Sequence, residues 1–321
     1  MKPKFDRFLI EKVQCLPCKK NANGELSLDY KVKIVAIDNK VETIEKKNPL
    51  FFGNMGDGPK KKFIHASELK VEFLSFVPEV KKAIEEHFES FLALTNFGTR
   101  QSKGYGSFYL DKPFDATLIP YKVYSFNTTN WKKDIKLLYS FLRQGINRPK
   151  GIGSPLGFYS KPAIFTYAVK NKWTWDKKAI KQHFFPDNSQ GQNYSGEETY
   201  LLRDLFGLSS EQTWMSYKAN IKKEDNEKKI DRFKSPITFK KVSGKVYFWA
   251  DKSVEIILNK SFKVSTGGKK LDLSTPKEFS FDAFFEYVKT INLSQHIDSK
   301  YHKESEFNTL KRILNDIKAS K

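Results

Sequence analysis

Apolar residues recur along this chain in two rhythms, at alternate positions in some stretches and at every third or fourth position in others. Alternation predicts strands over 4–18 and 28–37, the second with Tyr30, Val32, Ile34 and Ala36 on one face. The cluster at 21–26, NANGEL, reads as the turn between them. Short strands follow near 62–65 and from Leu69 to Phe76. Pro78 then opens a helix in which Val80, Ile84, Phe88, Phe91 and Leu92 fall at helical spacing. A strand is predicted over 107–114, and a helix over about 129–143 with Trp131, Ile135, Leu138 and Leu142 on one face and Thr128 or Thr129 as its cap. The Gly/Pro-rich stretch 147–162 predicts irregular backbone, and AIFTYAVK at 163–170 predicts a strand. Past a polar loop at 185–196, Ser195 and Glu198 form a capping box for a helix running through about Leu205. The mixed-charge segment 218–232 reads as a solvated loop, and 236–250 as a hairpin turning at Ser243-Gly244. A helix over 279–291 turns Phe281, Phe284, Phe285 and Val288 inward. The tail, about 303–321, is a basic amphipathic helix striped by Phe307, Leu310, Ile313, Leu314 and Ile317, and the expectation is that the isolated chain leaves this stripe partly uncovered.

Strands and helices mix without a βαβαβα rhythm, so antiparallel sheets with helices on one face, an α+β fold, are expected. A weak internal repeat runs through the chain. Leu50-Phe51-Phe52-Gly53 precedes Phe63, Ile64 and Ser67, and Leu205-Phe206-Gly207 precedes Phe233, Ser235, Pro236 and Ile237. It predicts two related domains, over 1–125 and 126–295, with 296–321 as a tail.

The 57 Lys and Arg exceed the 37 Asp and Glu, giving a formal net charge of +20. A chain this basic points to a polyanionic partner, and aromatics on its basic loops could stack on bases. Trp173, Trp175, Trp214 and Trp249 can build core or an interface. Two cysteines exclude a disulfide scaffold. No apolar run approaches the roughly 18 residues of a membrane span, and charges interrupt the apolar stretch of MKPKFDRFLIEKVQ, so a cytoplasmic location without membrane contact is expected.

The most informative segment lies between the end of one predicted helix and the start of a strand: Gly98-Thr99-Arg100-Gln101-Ser102-Lys103-Gly104-Tyr105-Gly106-Ser107-Phe108. Its glycines permit positive φ and close approach to a phosphate, and Arg100 and Lys103 can neutralise phosphates. No Gly-Lys-Ser/Thr follows and the segment leads into a strand, so it is not a Walker loop. A helix, G-x-R-x-x-K-G-x-G-S-Φ and a strand resemble the glycine-rich loop of the RAMP superfamily of type III CRISPR effector subunits. The Leu50–Gly53 segment with Phe63-Ile64-His65-Ala66-Ser67, and again Leu201–Gly207 with Phe233–Ile237, resemble that family's LFG segment. The paired segments look most like the Cmr-type subunit that carries two RAMP domains. The resemblance implies two ferredoxin-like (RRM-like) domains, the second degenerate because it lacks the glycine loop; its nearest candidate, Ser265–Lys270, is out of place. It also implies a subunit that binds guide RNA, or its duplex with target RNA, among other effector subunits.

The residues assigned to RNA are Lys60, Lys61, Lys62, Gly98, Arg100, Lys103, Gly104, Tyr105 and Gly106. Arg143, Arg148 and Lys150 form a second basic loop that could also touch RNA. Cys15-Leu-Pro-Cys18 is half a zinc site with no second pair. His65 could touch RNA, and Asp57 is the one carboxylate in a flexible Gly loop beside cations. No general acid/base pair stands out, so no catalytic residue, metal, cofactor or small-molecule substrate is assigned. The rival readings are a RAMP endoribonuclease and a protein–protein adaptor. Phosphate contacts are expected in the first half, around 53–62 and 98–106, with the second half and tail docking neighbouring subunits.

Overall fold

The computed structural model describes residues 1–21, 23–43, 62–66, 68–152, 155–186 and 196–320. The chain divides into two compact units, the first comprising Met1–Gln101 with Tyr105–Pro120 and the second Ser102–Gly104 with Tyr121–Lys321.

The first unit begins with a helix, α1 (Lys2–Lys12), where a strand over 4–18 was expected. Phe5 and Leu9, four residues apart, are fully buried, while Lys4, Arg7 and Glu11 face outward. That is helical periodicity, and the short apolar run had disguised it. The Phe5 ring packs 4.6 Å from Phe91 and 5.5 Å from Phe88 of α2 (Pro78–Leu94), the helix expected there. Lys31–Ile37 pairs antiparallel with Glu68–Leu74, and Lys40–Thr43 with Lys62–His65. Both pairings keep one register, so the strands form a single ribbon interrupted at Asp38, whose φ is 53°. Val32 and Phe73 turn one ribbon face onto the core of α1 and α2. The expected strand over 107–114 does not form: Ser107 makes an isolated bridge to Asn96, and the chain then bends at Asp111-Lys112.

The second unit holds a six-stranded sheet in the spatial order Trp173–Trp175, Glu198–Tyr200, Lys269–Ser274, Ser261–Thr266, Ala219–Asp225, Glu211–Trp214. The first two strands are parallel, and those from Lys269–Ser274 onward pair antiparallel. A three-stranded antiparallel sheet joins the expected hairpin, Ile237–Val242 with Lys245–Ala250, to Tyr124–Asn127. The helices are α3 (Trp131–Arg143), α4 (Ala163–Lys170), α5 (Asp176–Phe184), α6 (Phe281–Thr290), α7 (Leu293–His296) and α8 (Ser305–Ala319).

Several expectations are corrected in this unit. Residues 163–170 are helix α4, because Pro162 enters it and Ile164 and Ala168 bury one face at i,i+4. No helix runs up to Leu205: Glu198–Tyr200 is a strand and Arg203–Phe206 a single 3₁₀ turn, while Ser195 lies outside the described residues. The supposed solvated loop contains Ala219–Asp225, an inner strand of the larger sheet. Its alternation is real but charged, since Ile221, Lys223 and Asp225 all point inward. Buried Lys223 is held by Asp204 at 2.5 Å. Within 147–162, a small hairpin pairs Ile146–Arg148 with Phe158–Ser160. Asn130, not Thr128 or Thr129, caps α3.

The tail stripe is fully covered, contrary to expectation: Phe307, Leu310, Ile313, Leu314 and Ile317 are all buried. Helix α8 also seals the outer edge of the three-stranded sheet. Ser125 N–H donates to Ser320 Oγ at 3.2 Å, and Asn127 N–H donates to Asp316 Oδ2 at 2.8 Å. An edge strand left with free N–H groups would invite pairing by another chain.

Candidate nucleic-acid interface

Helix α2 ends at Thr95, whose extended backbone sends the chain into the glycine segment. Residues 96–107 close on themselves. Phe97 N–H donates to Gly106 O at 2.9 Å, Asn96 Nδ2 to Gln101 O at 2.6 Å, Ser107 Oγ to Asn96 Oδ1 at 3.1 Å, and Gln101 Nε2 to Gly98 O at 2.8 Å. Gly106 is required by this closure. Its φ is +66°, and a Cβ there would lie 1.8 Å from the Phe97 carbonyl oxygen. Gly98 differs: its φ is +76°, but a Cβ would meet nothing within 4 Å. Arg100 also has positive φ, 58°, whereas Thr99 between them does not. Alternating handedness of this kind can turn successive N–H groups toward an anion.

The two cations of the segment have different surroundings. Arg100 is half-exposed in the first unit. Lys103 belongs to the second, where Ser102 O accepts from Phe239 N–H at 3.2 Å and the Lys103 ammonium sits 3.1 Å from the centroid of the Tyr139 ring. Its nitrogen is buried, so it is placed as an internal cation rather than a solvent-facing phosphate contact. Burial would raise the Tyr139 phenol, but the charges of Lys103 and Arg143 outweigh it and hold the group below its ordinary range. Gly104 (φ +82°) lets the backbone pass Ile135 and Trp131, at 2.9 and 3.2 Å from a hypothetical Cβ. Tyr105 is 6 % exposed, which corrects the expectation that its ring can stack on a base. Burial, then the charge of Glu42, pushes its phenol up to about 12.

Other assigned residues fall as follows. Lys62 is exposed on the ribbon; Lys60, Lys61 and Asp57 lie outside the described residues. His65 pairs with Glu42 at 2.8 Å. Arg143 holds the second LFG turn, donating to Arg203 O at 3.1 Å and Gly207 O at 2.9 Å, while Tyr139 O–H donates to Phe206 O at 2.7 Å. Arg148 is clamped by Glu304 and Glu306, each at 2.5 Å. Both arginines thus serve the fold, leaving Lys150 as the exposed cation of that loop. Gly267 and Gly268, both with positive φ, form the tight turn of the hairpin joining Ser261–Thr266 to Lys269–Ser274. Cys15 and Cys18 are exposed free thiols, and no cluster of three or more potential metal ligands occurs among the described residues.

Sequence reasoning missed Lys4. Its ammonium donates to Gln101 Oε1 of the glycine segment at 3.0 Å, and Arg7 lies one turn further on the exposed face of α1. Reading α1 as a strand had hidden this placement. Over the four antiparallel strands of the six-stranded sheet the outward face is polar: Thr213, Asn220, Lys222, Glu224, Lys263, Ser265, Lys270 and Asp272 share it through direct pairings, and through Ser274 the same face continues to Tyr200 and Trp175 of the two parallel strands. The eight positions on the antiparallel strands hold no aromatic side chain, so those four strands lack the stacking platform by which RRM sheets read bases.

Two family models match the chain: one of the Cmr1 N-terminal domain over residues 1–146, and one of the Cmr1 C-terminal domain over residues 159–319. No curated protein and no solved structure matches. No described helix is long and apolar enough to cross a membrane.

Proposed function

Because the chain belongs to the Cmr1 family, Cmr-type subunits of type III CRISPR effectors within the RAMP superfamily, we propose that it is a non-catalytic RNA-binding subunit of such an effector. In this reading it works in the cytoplasm beside other effector subunits. It grips guide RNA, or the guide–target duplex, through phosphates and not through base edges. The ferredoxin-like ancestry of the two halves belongs to the same reading.

The observation that supports it is the turn Gly98–Arg100. Backbone of alternating handedness there opens outward, Arg100 stands on it, and Lys4 reaches the same segment through Gln101. Cations beside exposed backbone N–H groups bind phosphate without regard to sequence. The test is Arg100→Ala with Lys4→Ala in one chain. Binding of unrelated RNAs should weaken alike, and the slope of log K against log salt should fall by about 1.5 units for two lost contacts. RNA should stay intact with or without Mg²⁺. An unchanged slope in a folded double variant refutes the assignment, and clean cleavage of RNA refutes the non-catalytic role.

A further inference from the structure

We propose that the second unit carries a base-stacking site for single-stranded RNA, formed by Phe185, Trp214 and Tyr217 with Lys181 and Arg203 against their rings. It uses none of the glycine-segment residues and stands independently of that reading. The three rings converge from the C-cap of α5, the end of the edge strand Glu211–Trp214 and the 3₁₀ turn Met215–Tyr217. Phe185 stacks on Tyr217 with centroids 4.4 Å apart, and Trp214 lies 6.4 Å from Phe185 and 6.0 Å from Tyr217. The core of this sheet is elsewhere: Ile180, Ile221, Phe262 and Val264 are fully buried, whereas the three rings are each half-exposed.

Charge decides the occupant. The Lys181 ammonium lies 5.2 Å from the Tyr217 centroid, and the Arg203 guanidinium carbon 5.5 Å from that of Trp214. Lys218, exposed, follows Tyr217 directly. The acid within this group, Asp176, is buried and engaged by Arg203 at 2.7 Å. Burial first, then the charges of Arg203 and Lys181, pushes the Lys177 ammonium down against the opposing pull of Asp176. Aromatic faces flanked by cations suit a base and its phosphates, and every base offers a π-face. Lysine is depleted at the centre of protein interfaces, whereas Lys181 stands against the Tyr217 ring and exposed Lys218 follows it.

The experiment is photo-crosslinking of the full chain to thiouridine-labelled oligouridine, with crosslinked peptides read by mass spectrometry. Crosslinks at Trp214 or Tyr217 are expected, and they should persist in the Lys4→Ala, Arg100→Ala chain. Trp214→Ala should weaken binding about five- to a hundredfold at unchanged salt slope, because stacking releases no counterions. Lys181→Ala should lower the slope by about 1 unit. Tyr217→Leu serves as the second variant if Trp214→Ala does not fold. Full affinity in folded variants, or absence of crosslinks from residues 181–218, overturns the proposal. So does shielding of Trp214 by a neighbouring subunit in the RNA-free complex, which would make this a protein-docking face.

Discussion

Lys103 separates a phosphate contact from an internal cation, and two substitutions there give opposite signatures. Its ammonium rests 3.1 Å from the Tyr139 centroid with its nitrogen buried. A desolvated cation–π contact contributes about 2 kcal/mol. Burial of the side chain's methylene stem adds roughly 0.8 kcal/mol per group. Against both stands the cost of holding an ammonium away from water, several kcal/mol for a buried ion. Lys103→Ala loses the stem and the cation together and leaves a cavity, so the net loss is about 2–3 kcal/mol, a fall in melting temperature of roughly 5–10 °C for a unit of this size. Lys103→Met keeps the stem and removes the burial cost of the charge, so its effect should stay within about 1 kcal/mol. In both variants the salt slope of RNA binding is unchanged, and the Tyr139 phenol titrates higher because burial now acts without Lys103. Thermal melts, a salt titration and ultraviolet titration of tyrosine test each part. Two variants equally stable, each with a slope lowered by about 1 unit, would return Lys103 to the phosphate and refute the reasoning.

Gly106→Ala should destabilise the first unit by about 3 kcal/mol or more, combining positive φ with overlap on the Phe97 carbonyl; a urea melt shifted by less than about 0.5 kcal/mol contradicts the closure described. Buried Lys240 has its ammonium pushed down to about 7 by burial, well below its unfolded range. Between pH 7 and the unfolded value the unfolded chain binds a proton the folded one lacks, so stability should rise as pH climbs from 7 to 9, and Lys240→Met should make that rise shallower, leaving the share of the other lowered ammonium groups, Lys177 and Lys223. Asp316→Ala with Ser320→Ala frees the edge amides of Ser125 and Asn127, at about 1 kcal/mol each. Hydrogen exchange at those two amides should accelerate selectively, and unaltered protection would show that something other than α8 seals the edge.

Elements whose period was carried by unambiguous apolar residues were legible in the sequence: α2, α3, α6, α8 and the hairpin around Ser243-Gly244. Errors arose where length and charge disguised the period. Residues 163–170 offer only eight positions, and a run that short satisfies strand and helix templates alike until Pro162 is recognised as an entry residue. The strand Ala219–Asp225 alternates correctly, but two of its inward residues are Lys223 and Asp225, which a hydrophobicity count places in solvent. Their burial depends on partners far along the chain, such as Asp204 for Lys223. A buried charge is tolerated only where a partner meets it, and the partner is invisible to local reading.

The same limit governs the candidate site. The glycines of the 98–106 segment announced backbone of unusual handedness, and Gly98, Gly104 and Gly106 all have it. What the spacing could not say is which glycine opens outward and which merely lets two pieces of chain pass. Gly106 accommodates the Phe97 carbonyl, Gly104 accommodates Ile135 and Trp131, and only Gly98 of the three leaves its Cβ position empty. The cations divide for a related reason. Among 57 Lys and Arg, charge alone does not distinguish a phosphate ligand from a structural ion. Lys103, Arg143 and Arg148 satisfy a ring, two carbonyls and two carboxylates inside the second unit, whereas Lys4 stands on an exposed helix face in the first. In the proposed reading the positive net charge attracts RNA to the molecule as a whole, while the fold reserves Arg143 and Arg148 for itself and the grip falls to residues of less conspicuous sequence context, such as Lys4.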